Sequence, residues 1–181
     1  MNEGLIPARY AKALYLVGVD KHVDQKLYDT MKSLVGNMAS EPSLQEALSN
    51  PFISDADKCS LLSTAAGKPD GDAVFSDFLK LLCRNRRLDL ARDIAYAYID
   101  LYRRKNKIFD VSIVSAAPLS TEEKNRLLDL VGRHLDGGTV ECTTKVDPSL
   151  IGGFIVSVGN ERIDASISNE LKQLRLNLIR K

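Results

Sequence analysis

The sequence predicts an α+β protein in two parts: an amino-terminal six-helix bundle over residues 1–105, followed by a small α+β domain over residues 106–181. Up to about residue 105, apolar residues recur every three or four positions, which is the spacing of one helix face. Beyond residue 107 they alternate with polar residues, which is the spacing of a half-buried β-strand. The basic run at residues 103–107 lies between the two patterns, and we interpret it as a helix end and solvated linker.

The helical part contains several start and stop signals. Pro7 lies in the first turn of the first helix, where its missing N–H costs nothing. Ser40 is predicted to cap the third helix, and Ser54 with Asp57 is predicted to open the fourth. Asn85 marks the stop between the fifth and sixth helices. A cluster of turn residues at positions 67–71 separates the fourth helix from the fifth.

The second part alternates strands with helices. Ser120 and Glu123 form a capping box that predicts a helix, which the glycines at positions 137–138 end. Gly159 lies in the turn of a predicted hairpin. The last helix carries an apolar stripe of Ile167, Leu171, Leu174 and Leu178. The predicted strands are residues 108–115, 140–146, 154–158 and 162–165.

Composition and charge narrow the classes of function. Hydrophobic residues make up 44% of the 181 residues, charged residues 27%, and the net charge is +1. Neither part has the basic field that steers a protein to nucleic acid or to anionic lipid. No run approaches the roughly 18 apolar residues of a membrane span. We therefore expect any membrane association to be indirect, and we expect a partner to be held by apolar contact.

No catalytic, metal or cofactor site is predicted. The two histidines, His22 and His134, lie in different helical segments without a second ligand at metal spacing. No phosphate-binding loop occurs, because a strand rather than a helix follows Gly152 and Gly153. These two glycines are interpreted as allowing a close approach of the backbone.

The three cysteines, Cys59, Cys83 and Cys142, lie far apart in the sequence and lack the CxxC spacing. An odd number without that spacing is typical of reduced thiols in a reducing compartment. Each is interpreted as a small hydrophobic residue in the core.

The first and fifth helices carry more apolar surface than one core face needs. Such helices are either fully buried or expose a groove to another chain, and the sequence leaves both interpretations open. The second interpretation predicts a groove that accepts an amphipathic helix. Its candidate residues are Tyr10, Ala13, Leu14, Val17, Phe78, Leu81 and Leu82.

Two other classes of function remain as alternatives. One is a helical adaptor or RNA-binding module, for which the basic residues 84–87 are the best candidate contact. The other is an enzyme that uses Asp147 or Asp164 as an acid or base. Both aspartates have an ordinary structural interpretation, because Asp147 can shape a turn and Asp164 can cap the last helix.

Five segments, in order along almost the whole chain, carry a resemblance to a known family. They are ARYAKALY at residues 8–15, NPFIS with Lys58 at 50–58, FLKLLCRNRRL at 78–88, VSAAPLS at 114–120, and VDPSLIGGFIV followed by IDASI at 146–167. Together they resemble the delta subunits of rotary F-type ATP synthases, called oligomycin sensitivity conferral protein in mitochondria. Residues 84–87 are more basic than is usual in that family.

The resemblance implies a non-catalytic stator connector, without a cofactor, that resists rotor torque during proton-driven ATP synthesis. The helical domain is then expected to dock on the catalytic head and to receive the amino-terminal segment of an alpha subunit in the candidate groove. The α+β domain is expected to engage the b-type stalk subunit. No nucleic acid partner is expected. The lack of a leader before residue 8 favours a bacterial protein, peripheral to the cytoplasmic face of the cell membrane.

Overall fold

The computed structural model describes residues 4–50, 52–67, 73–135, 138–159 and 161–179. The chain divides into two compact units, Met1–Tyr102 and Arg103–Lys181. Helices make up the first unit, and a four-stranded sheet with helices makes up the second, so the predicted α+β class is confirmed. The turn residues predicted at 67–71 and 137–138 lie mostly outside the described residues.

The helices of the first unit are six in number within the described residues. A single turn of 3-10 helix, Leu88–Leu90, precedes the last of them. The helices are α1 (Leu5–Asp20), α2 (Asp24–Ser40), α3 (Pro42–Ser49), α4 (Asp55–Ala65), α5 (Ala73–Arg84) and α6 (Ala91–Lys105).

The helix starts follow the local sequence at one predicted cap and depart from it at another. The Ser54 hydroxyl accepts a hydrogen bond from the amide of Asp57 at 3.2 Å and so caps α4 as predicted. Ser40 does not cap α3. It is the last residue of α2, and its hydroxyl donates to the carbonyl of Gly36 at 3.1 Å. α3 begins instead at Pro42, because proline fits the first turn of a helix without losing a hydrogen bond.

Four tyrosines pack together in the first unit and connect α1, α2 and α6. The rings of Tyr28 and Tyr102 stack at 4.4 Å between centroids, and Tyr15 lies 6.3 Å from both Tyr98 and Tyr102. The Tyr98 hydroxyl donates to the carbonyl of Asp24 at 3.1 Å, so its polar tip is satisfied inside the core. This cluster holds one side of α1 and leaves the opposite side of that helix for other contacts.

The second unit is a mixed sheet with strand order β2-β1-β3-β4. β1 and β2 are parallel and are joined through α7, whereas β1 pairs with β3, and β3 with β4, in antiparallel fashion. Ser120 caps α7 in the predicted capping box, since its hydroxyl accepts from the Glu123 amide and its own amide donates to the Glu123 carboxylate. The elements are β1 (Ile108–Ser115), α7 (Thr121–His134), β2 (Thr139–Val146), β3 (Gly153–Val158), β4 (Glu161–Ser166) and α8 (Ile167–Ile179).

The core of this unit lies between the sheet and α7. Val111 and Ile113 of β1 are fully buried, and Val156 of β3 is buried beside them. Packed against them are the partly buried Leu119, Leu127, Leu128, Val131, Leu135, Val140, Cys142, Phe154 and Val158.

The glycine pair before β3 serves a close approach of the backbone, as the sequence suggests. Gly153 has φ +77°, and a Cβ there would clash with the carbonyl oxygen of Ala165 on β4. A Cβ on Gly152 would lie 2.5 Å from the Ile167 side chain at the start of α8.

Candidate partner-binding surfaces

An open apolar groove of about 360 Å³ lies between α1 and α5. Six of the seven candidate residues come together along it, and only Leu82 is missing. We call this feature the α1–α5 groove. Its lining consists of Tyr10, Ala13, Leu14, Val17, Lys21, Val74, Asp77, Phe78 and Leu81.

Leu82 belongs to the core and does not line the groove. Consecutive helix residues are rotated by about 100°, so Leu81 and Leu82 face different surroundings. Leu81 is 45% exposed, whereas Leu82 is fully buried. The interpretation of Leu82 as a binding residue is therefore corrected to that of a packing residue.

The groove has a buried floor and exposed walls. Leu14 and Phe78 form the floor and are largely shielded from solvent, so the core interpretation holds for part of each side chain. Val17 on α1 and Leu81 on α5 keep more than two fifths of their surface exposed. Apolar walls next to a filled floor present a surface that can take up the apolar side of another helix.

Three residues that line the groove were not predicted from the sequence: Lys21, Val74 and Asp77. Each lies four positions from a residue that was found, namely Val17, Phe78 and Leu81 respectively. Extending the helical rows by one turn finds all three. Lys21 and Asp77 place one positive and one negative charge on the groove, and Asp77 also pairs with Lys80 at 3.1 Å.

Tyr10 is held at one end of the groove by the turn that follows α5. The side-chain amide of Asn85 donates to the Tyr10 hydroxyl at 2.9 Å, and the guanidinium of Arg87 donates to it at 3.4 Å. The same guanidinium lies 5.7 Å from the centre of the Tyr10 ring. Arg87, one of the basic residues considered for RNA binding, thus has an internal partner in the structure.

A second apolar surface lies in the second unit, on α8. None of the described residues of α8 is buried, although the helix contacts β4 and the 3-10 turn Pro148–Leu150. Its large apolar side chains are between 44% and 78% exposed. We call these residues the α8 surface: Ile167, Leu171, Leu174, Leu176, Leu178 and Ile179.

The two aspartates considered for catalysis have structural roles. The Asp164 carboxylate accepts hydrogen bonds from the amide and the hydroxyl of Ser166. The Ser166 hydroxyl accepts a hydrogen bond from the amide of Asn169 and so caps α8. The Asp147 carboxylate accepts from the amide of Ser149 at 3.0 Å and shapes a turn. Hydrogen bonds from the neighbouring serine hold the pKa of each carboxyl below its usual range. Such carboxylates are weaker bases than ordinary ones.

Within the described ranges, no group of three or more histidine, cysteine or acidic residues is placed to hold a metal ion. Among the same residues, no helix combines the length and the apolar character needed to cross a membrane.

Comparisons with known proteins agree over nearly the full length. Residues 6–178 match the sequence profile of the family described as "ATP synthase delta (OSCP) subunit". "ATP synthase subunit delta" of Parabacteroides distasonis is 41% identical over 99% of this chain and 98% of its own length. The protein of that name from Prochlorococcus marinus strain MIT 9215 is 31% identical over 93% of each chain.

The fold also matches a solved structure. A chain in the cryo-EM structure of the Toxoplasma gondii mitochondrial ATP synthase hexamer superposes with a TM-score of 0.72. The match covers 96% of this chain and 97% of that chain at 20% sequence identity.

Proposed function

This chain belongs to the ATP synthase delta (OSCP) subunit family, and we propose that its two apolar surfaces are the two attachment points of a stator connector. Subunits of this family are non-catalytic structural components of ATP synthase. In the proposal, the α1–α5 groove receives the amino-terminal segment of an alpha subunit, and the α8 surface meets the b-type stalk subunit. Two contacts on one chain raise each other's effective concentration, so neither contact needs a very high affinity by itself.

The observation that carries the first contact is the α1–α5 groove itself. Its lining is apolar along both helices, and Val17 and Leu81 remain exposed on opposite walls. An amphipathic helix fits such a site by placing its apolar side between the walls. Lys21 and Asp77 then lie where they can contact the polar edges of the bound helix.

Replacing Leu81 tests the groove. Leu81→Asp puts a charge on an apolar wall, and we expect it to weaken binding of an alpha amino-terminal peptide by about 2 kcal/mol, or roughly thirtyfold. Isothermal titration calorimetry on the purified chain gives the affinity. Because Leu81 is already exposed, the thermal midpoint should change little.

The matched control is Leu16→Asp. Leu16 lies on α1, is at least as exposed as Leu81 and does not line the groove. We expect this variant to bind the peptide as the unmodified chain does. Equal loss of affinity in the two variants would assign the peptide to another surface.

The α8 surface supports the second contact. Six large apolar side chains on one short helix are more than a free surface usually carries, and burying them against a partner stabilises the complex. The stalk subunit is the partner that the family implies for this part of the chain. We therefore propose that the stalk packs along α8.

A substitution on α8 tests this contact independently of the first. Leu174→Glu should reduce binding of the soluble part of a b-type subunit at least tenfold in surface plasmon resonance, while binding of the alpha peptide stays unchanged. Leu130→Glu is the control, because Leu130 is an equally exposed leucine on α7 of the same unit. If Leu174→Glu binds the stalk subunit as the unmodified chain does, the stalk does not bind at α8.

For location, we propose the cytoplasmic face of a bacterial cell membrane, reached through the other subunits. The similar proteins from Parabacteroides distasonis and Prochlorococcus marinus are bacterial, which supports this placement. Washing isolated membranes with a buffer that detaches peripheral subunits should release the chain into the supernatant. Retention in the lipid fraction after that wash would contradict the proposal.

A further inference from the structure

Two of the three cysteines, distant in the sequence, meet in the structure. Cys59 lies on α4 and Cys83 on α5, both are half-buried, and the Cys83 thiol is near enough to Cys59 to help raise its pKa. The Cys59 thiol also donates to the carbonyl of Leu79 at 3.9 Å. Leu79 is one helical turn before Cys83, so its carbonyl accepts the Cys83 amide in the helix. The Cys59 sulfur therefore lies beside the turn of α5 that carries Cys83.

A small molecule can reach Cys59 from one side. A cavity of about 260 Å³ borders Cys59, between α4 and the first turns of α5. Its lining consists of Cys59, Ser60, Ser63, Phe75, Ser76, Leu79 and Lys80. Three serines and Lys80 make part of this lining small or flexible, and Phe75 and Leu79 make the rest apolar.

We propose that Cys59 and Cys83 form a redox modification site, at which a small-molecule disulfide of the glutathione type produces a disulfide bond between α4 and α5. One cysteine thiolate attacks the small disulfide, which gives a mixed disulfide and releases one small thiolate. The second cysteine thiolate attacks that mixed disulfide, forms the Cys59–Cys83 bond and releases the other. The two electrons end on the two small thiols, and the cysteines lose two protons.

At neutral pH, the raised pKa of Cys59 slows the oxidation of the two cysteines. Burial, and next the neighbouring Cys83 thiol, raise the pKa of Cys59 to about 11. Thiol–disulfide exchange runs through the thiolate, and each cysteine acts once as the attacking group. Cys59 must therefore lose its proton whichever cysteine reacts first. The pair stays reduced under ordinary conditions and oxidises faster as the pH rises.

The new bond would join the middle of α4 to the last turn of α5. It closes a loop of about 25 residues, which restricts the unfolded chain and stabilises the folded one. α5 also carries one wall of the α1–α5 groove, so a disulfide to α4 would restrict the movement of that wall. The disulfide would form whatever the groove binds.

Peptide mapping after oxidation tests the site. The Cys142→Ser variant of the full chain keeps only the pair and is incubated with oxidised glutathione, blocked and digested with trypsin. Cleavage after Lys58, Lys80 and Arg84 puts the two cysteines on separate peptides, residues 59–80 and 81–84. We expect one linked pair of these peptides per chain, formed at least tenfold faster at pH 9.5 than at pH 7.5. The thermal midpoint should rise by roughly 10 °C on oxidation.

The control is a Cys83→Ser, Cys142→Ser double variant, which leaves Cys59 without its partner. Oxidised glutathione should leave its thermal midpoint unchanged and give at most a mixed disulfide on Cys59. Separate mixed disulfides on both cysteines of the first variant, without a linked peptide, would overturn the proposal. Links that form only between two chains would overturn it as well.

Discussion

Tyr10 shows how one side chain joins an apolar surface to a polar anchor. Its ring lines the α1–α5 groove, while its hydroxyl accepts hydrogen bonds from Asn85 and Arg87 in the turn after α5. Aromatic side chains with a fixed polar tip lose little conformational freedom on binding. The turn therefore fixes the position of the ring, and Arg87 is the basic residue there that contacts the groove.

Gly153 gives the sharpest prediction for a single residue. Its φ of +77° disfavours a β-branched side chain, and any Cβ would clash with the carbonyl of Ala165. Gly153→Val should destabilise the second unit by about 3 kcal/mol or more, measured by urea unfolding. Peptide binding in the groove of the first unit should stay intact.

Gly132→Val is the matched control for this substitution. Gly132 lies in α7 of the same unit, where an added Cβ would enter open space and the φ angle is not positive. We expect the control to unfold at nearly the same urea concentration as the unmodified chain. Similar losses in both variants would mean that the close approach at Gly153 is not the cause.

At the scale of an element, the start of α7 depends on its capping box. Two hydrogen bonds join Ser120 and Glu123 in opposite directions and satisfy amides that the helix leaves free. α7 in turn covers the buried residues Val111 and Ile113 of β1. Loss of the cap therefore destabilises the first turn of α7 and weakens the packing of this helix on the sheet.

We expect Ser120→Ala to lower the thermal midpoint of the second unit by a few degrees at neutral pH. The hydrogen bonds from Ser120 lower the pKa of Glu123 below its ordinary value of 4.5. Their stabilisation is present above that ordinary value and is lost as the pH falls through the lower folded-state pKa. The gap between the midpoints of the variant and the unmodified chain should be constant from pH 5 to 7 and shrink below about pH 4. A gap independent of pH would mean that the Ser120 hydroxyl does not act through the Glu123 charge, because the backbone amide at position 120 donates to Glu123 in both chains.

The sequence predicts these elements well where the signal is local, and less well where it is not. The cap of α4, the capping box of α7, the alternation in β1 and the glycine pair before β3 each depend on neighbouring residues, and the structure has all of them. Ser40 failed as a cap because Pro42 begins the helix two residues later. Leu82 failed as a groove residue because the choice between the two sides of α5 depends on which helices pack against it. The contact of Cys59 with Cys83 has no local signal, since two different helices bring them together.

For the whole molecule, the division into two units predicts where a protease acts first. Each unit has fully buried residues of its own, such as Leu27 in the first and Ile113 in the second. The Arg103 guanidinium pairs with Asp110 at 3.1 Å and with Glu141 at 2.8 Å, whereas Lys105, the last residue of α6, and Lys107, just before β1, are exposed. Exposed backbone outside regular elements is the preferred site of cleavage.

We therefore expect limited trypsin digestion to cut first after Lys105 or Lys107. The fragment of residues 1–105 should keep its helical circular dichroism spectrum and should still bind the alpha peptide. Mass spectrometry identifies the cut. A first cut elsewhere, or an unfolded amino-terminal fragment, would argue for one indivisible fold.

The exposed leucines of α8 also bear on how long a copy of the chain lasts before it joins a complex. Water-exposed apolar side chains adhere to one another, and chaperones and proteases sort proteins that display them. Under the proposal that a partner covers α8, we expect an unassembled copy to be degraded faster than an assembled one. The supply of that partner would then set how much of the chain accumulates.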